Sequence, residues 1–152
     1  MCRSAWTLLI SPLQREPAVA VLLAAVTAAL APQEMSPRTA IDLVTGPLIG
    51  LDSADVRVLA RALRARSRSR HPGSAVPAGT QLLCDELAAA ALGSPVDAEF
   101  LESRARVVHD RVMSAGALLH AIRARAEAGA PPGEVVWEAW SGARGDGESD
   151  AW

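Results

Sequence analysis

A chain of 152 residues, half of them apolar, can bury a core of its own, which excludes wholesale disorder. Its net charge of −2 excludes capture of nucleic acid by bulk charge, so any basic function must be local. Lysine, asparagine and tyrosine are absent, so within this chain a Walker phosphate loop, a Schiff-base lysine and a Ser-Lys dyad are ruled out.

Codons for the three missing residues are AT-rich, which points to a high-GC genome and discounts arginine richness as a signal by itself. Alanine, leucine and arginine dominate while aromatic residues make up 3%. That composition fills helix interiors and gives strands little to build on. The expected fold class is all-α, an irregular bundle of about five to six helices. Cys2 and Cys84 are far apart, without a CxxC or a histidine at ligand spacing, and imply neither a metal site nor a disulfide framework. A reducing cytoplasmic location is the expectation.

After an N-terminal lead (1–9), the first helix is expected from Pro17 to Ala31, apolar nearly all round and therefore central. Its run AVAVLLAAVTAALA is shorter than the ~20 residues a membrane span needs. A signal peptide would use Arg3 and Arg15 upstream and Ala29-Leu30-Ala31 as a cleavage site. Glu16 and Pro17 interrupt that pattern and Pro32 would follow the cut, so a retained, buried helix is expected and secretion is the lesser alternative. A short second helix takes Ser36 as N-cap and Pro37 as first residue, and stops at Gly46-Pro47.

The third helix opens at Asp52 or Ser53 and runs to about Arg70, with Val56, Leu59, Ala60 and Leu63 as its core stripe. Residues 71–79 form a loop, and a fourth helix covers Thr80 to Leu92 before Gly93. Asp97 is expected to cap a long fifth helix reaching Ala128. Its seam is Leu101, Ala105, Val108, Val112, Ala115, Leu119, Ile122 and Ala126, and Gly116 marks either a kink or a close crossing. A last short helix, Glu134 to Ser141, presents Val136, Trp137 and Trp140 to a neighbour, and a polar tail (142–152) follows.

Most chemical constellations dissolve on inspection. His109 and Asp110 point about 100° apart on a helix and do not face each other, and His120 lies three turns on, so solvated or half-buried histidines are expected. Asp146, Glu148 and Asp150 imitate the start of a calcium loop, yet Ala151 stands where the turn needs glycine. Thr45 to Gly50 is a turn with no lysine after it, and no GxSxG elbow exists.

One pattern survives. Arg57, Arg61, Arg64 and Arg68 fall at steps of four, three and four on one face of the third helix, flanked by Arg66, Arg70 and His71, with no acidic residue between Arg57 and Arg70. Guanidinium groups at that spacing can track a phosphate backbone, and the plain alternative is a solvated face. No aromatic residue is interleaved, so the backbone of duplex DNA is expected over single strands.

The order ISPLQREPAVAVLLAAVTAAL, then AIDLVTGPLIGLDSADVRVLARALR, then the long helix, then GAPPGEVVWEAW resembles the 2B subdomain region of UvrD/Rep-type superfamily 1 ATP-dependent DNA helicases. It is most similar to the AdnAB-type helicase-nuclease subunits of high-GC bacteria, over nearly the whole chain from Ile10. The polar GARGDGESD segment departs from the family, which continues more compactly towards another Trp. The resemblance implies a helical accessory domain (10–141) of a DNA unwinding or repair enzyme, itself inactive. It implies no cofactor here, although the parent family uses ATP and magnesium, and no membrane. The implied partners are the remaining helicase domains or a partner subunit. A free-standing helical interaction module is the alternative.

Overall fold

A computed structural model describes residues 17–144. Cys2, Arg3, Arg15, Glu16, the N-terminal lead, most of the polar tail with Asp146, Glu148 and Asp150, and Trp152 lie outside the described residues. Six α-helices and no strand are present among them: α1 (Pro17–Leu30), α2 (Pro37–Thr45), α3 (Ser53–Arg70), α4 (Gly79–Ala91), α5 (Ser103–Glu127) and α6 (Pro132–Arg144). The fold is all-α, an irregular bundle. No described helix is long and apolar enough to cross a membrane.

Local chemistry sets the helix starts. Ser36 Oγ accepts the Thr39 N–H at 3.1 Å and Pro37 supplies a preset φ, which opens α2. Asp52 Oδ1 accepts the Asp55 N–H at 2.7 Å and opens α3. That bond, helped by the Ala54 N–H and the Arg104 and Arg57 charges and opposed by desolvation, holds the Asp52 carboxyl below its usual range.

The long helix α5 is the hub and touches α1, α3, α4 and α6. Leu101, just before it, and Ala105, Val108, Val112, Ala115, Leu119 and Ile122 are all buried, and Ala126 is half-buried, as the four-three spacing requires. Gly116 belongs to a close crossing: a Cβ there would overlap the Ala90 side chain of α4. The helix does not begin at Asp97. Its N-cap is Glu102, because Asp97 Oδ1 instead closes a tight turn on the Glu99 N–H at 2.7 Å and Phe100 follows at φ 63°, which no helix accepts.

Two further expectations are corrected. Helix α1 is not central: Ala25, Ala28 and Ala29 are buried, whereas Leu23 and Leu30 are exposed. Composition gave it a uniform apolar surface, but the bundle covers only its alanine face. On α6 the inward residues are Val135 and Ala139, one turn apart, while Trp137 is 66% exposed and Val136 also faces out. Trp140 is half-buried.

Candidate nucleic-acid interface

Helix α3 carries six arginines, and the structure divides them. Arg57, Arg61, Arg64 and Arg68 share one exposed face, as their spacing demands. None of the four makes an ion pair of 4.0 Å or less among the described residues; Arg57 leans on Ser53 Oγ at 3.4 Å and lies near the Asp52 carboxylate. Arg66 stands nine residues from Arg57, half a revolution away at 100° per residue, and is buried. Arg70, one turn further, pairs with Asp97 at 2.6 Å. The flanking pair is therefore not part of the basic face. Acids from outside the helix neutralise both, which the acid-free stretch between Arg57 and Arg70 could not disclose.

Arg66 belongs to a buried cluster. Its guanidinium pairs with Glu86 of α4 and donates to the Asp97 carbonyl, while His109 Nε2 of α5 lies 2.9 Å from the second Glu86 oxygen. His109 is 1% exposed, a correction to the solvated or half-buried histidine expected there. Burial, and then the Arg66 charge, push its imidazole below the ordinary range, against Asp110 and Asp97 acting the other way. Among the described residues Nδ1 has no partner, so a protonated ring would strand a buried N–H. The Glu86 contact by itself would favour the cation, but Glu86 already answers Arg66. His109 is thus neutral, with Nε2–H donating. A ring so enclosed meets no substrate, and the cluster is structural: it ties α3, α4 and α5 together.

The neutral Cys84 thiol is buried, its pKa raised by desolvation and by Asp85, and its sulfur donates to the Met35 carbonyl. His120 is exposed, and its Nδ1 lies 3.2 Å from the Ala91 carbonyl at the end of α4. Among the described residues no group of three histidine, cysteine or acidic side chains is placed to hold a metal.

Beside the arginine face, α3 and the start of α5 enclose a groove of about 400 Å³. Its apolar lining is small: Val58, Ala62, Ala65 and Ala105. Arg61, Arg104, Glu102 and Phe100 surround it. Arg104, itself exposed, is 3.6 Å from the half-buried Asp55, a long contact worth little. Phe100, the sole phenylalanine of the chain, is 68% exposed and held at φ 63°. A β-carbon in that region costs about 1–2 kcal/mol. Sequence reading missed this residue because 39 positions separate it from Arg61, and only the fold brings an aromatic ring to the arginine face.

No protein-family model matches the chain, and neither a curated protein nor a solved structure is similar enough to match it.

Proposed function

We propose that this chain is a helical accessory region of a DNA helicase that grips nucleic-acid phosphates through Arg57, Arg61, Arg64 and Arg68 and does no chemistry itself. One observation carries the reading. On a single helix the arginines on the inner side are neutralised by Glu86 and Asp97, while the four on the outer side face solvent and make no ion pair of 4.0 Å or less among the described residues. Unneutralised guanidinium groups in a row release counterions when they meet phosphates, and so bind weakly, without sequence preference and with steep salt dependence. The resemblance to the 2B region supplies the helicase context, with the other helicase domains or a partner subunit as neighbours and a cytoplasmic setting.

The test is titration of a DNA duplex at several salt concentrations. Arg61→Ala/Arg64→Ala should lower the salt slope by roughly two if each residue contacts one phosphate. Identical slopes, or no binding even at low salt, would defeat the proposal. A second reading, a partner-docking module, is favoured by the exposed Trp137 and Val136 on α6. It requires that Trp137→Ala abolish binding of a protein partner while leaving the DNA titration unchanged.

A further inference from the structure

The turn that presents Phe100 is not loose. Arg70 pairs with the Asp97 side chain, Arg66 donates to its carbonyl, Asp97 Oδ1 holds the Glu99 N–H, and Leu101 directly after Phe100 is buried in the core. A firmly anchored turn thus holds an aromatic ring in solvent, in a backbone conformation that glycine would occupy without strain. The ring borders a groove whose small lining leaves space for a flat group, with Arg61 and Arg104 at its edge. Arg61 also belongs to the exposed arginine row, so the groove is continuous with a basic surface.

We infer that this groove is a base-stacking site: one unpaired base lies on Phe100, and the adjoining phosphates meet Arg61 and Arg104. The inference rests on the phosphate-gripping reading above and deepens it by making single-stranded nucleic acid the preferred ligand. An aromatic face stacks any base, so the site selects strandedness and not sequence. A duplex keeps its bases stacked inside and can offer only phosphates. Charge complementarity favours an anionic ligand over an apolar peptide, since Glu102 is the one acid among the groove's lining residues, and the exposed Phe100 ring beside the arginines suits a polymer that alternates flat bases with phosphates better than an acid-rich peptide.

The experiment is fluorescence anisotropy of the full chain with three probes of equal length: a labelled thymidine oligonucleotide, an abasic strand of the same backbone, and a duplex. Wild type should bind the thymidine strand about tenfold more tightly than the other two, the effect of one stacked base. Phe100→Gly removes the ring and relieves the backbone, so it should melt no lower than wild type and bind all three probes alike. Phe100→Trp should retain the preference, and Ala65→Leu, which fills the groove without changing charge, should lose it. Equal binding of the thymidine and abasic strands by wild type, with both weakened in Arg61→Ala/Arg64→Ala, would overturn the base site and leave the phosphate reading standing. Loss of all binding would remove both. A Phe100-dependent dimer in sedimentation, with no base dependence, would assign the groove to a second copy of the chain and overturn the inference.

Discussion

Replacing Glu86 with alanine should be the most damaging single change in the buried cluster. The Arg66 side chain is 7% exposed and that of Glu86 15%, so solvent screens their attraction little. Removing one partner of a buried pair leaves the other charge uncompensated, which costs about 3–5 kcal/mol. Arg66 keeps the Asp97 carbonyl and the distant Asp97 charge, so the lower end, about 3 kcal/mol, is the working figure. His109 loses its acceptor as well, and both its nitrogens become orphans. Urea unfolding followed by circular dichroism at 222 nm reads the loss as a lower midpoint at unchanged slope. Glu86→Gln, which keeps the shape and a carbonyl acceptor, should fall between wild type and alanine. A loss below about 1 kcal/mol for Glu86→Ala would mean that water reaches Arg66 and would refute the claim that the cluster is buried.

His109 gives stability a distinct dependence on pH. Its folded pKa is depressed, so the unfolded chain takes up the proton first as pH falls below about 6.5. Stability is complete above that value and declines below it, by at most about 1.4 kcal/mol per pH unit, until the folded ring titrates. The depressed carboxylates of Asp52 and Asp97 contribute only from about pH 4 downward, so midpoints measured between pH 4 and 7 in wild type and His109→Gln isolate the histidine. Leu119→Ala should cost about 2–5 kcal/mol in the same urea assay because the side chain is buried in the seam, whereas Arg123→Ala loses mainly a helical ion pair worth a few tenths. Gly116→Ala should destabilise by about 1–2 kcal/mol despite alanine's better helix propensity, since overpacking at a fixed crossing dominates. Ala90→Gly should couple favourably with it in a double-mutant cycle, and strict additivity would count against the crossing.

Much of the fold was legible because punctuation and period agreed. Ser36-Pro37, Asp52 and Gly93 marked helix ends, and the α5 seam followed from spacing alone. Elsewhere residue type misleads where helical register does not. Arg66 falls three residues after Leu63 and seven after Leu59, and His109 falls four after Ala105 and three before Val112, so both occupy core positions. A charged or polar residue in that register demands a buried partner, and Glu86 is the answer. The apolar bulk of Val136, Trp137 and Trp140 is a poor guide to the inner face of α6: Val135 and Ala139 occupy it, Trp140 is half-buried and Val136 and Trp137 face out. The arginine row was visible as a helical period. Phe100 was not, because its position depends on how the 97–101 turn folds back against α3, a long-range contact that no local pattern encodes.

The crossing of α4 and α5 at Ala90 and Gly116, about three turns along α5 from the groove, bears on how that groove would bind. Side chains without rotamers give up no side-chain entropy on folding, and backbones in near contact hold each other by dispersion. That attraction falls steeply with distance: a radial gap of about 0.5–1 Å forfeits a quarter to a half of it. Small displacements of α5 are therefore resisted, and the groove formed by its first turn and α3 stands on a stiff base. A ligand meeting such a surface spends little free energy on rearranging it, so even a contact area as small as one base and two phosphates can register as measurable affinity.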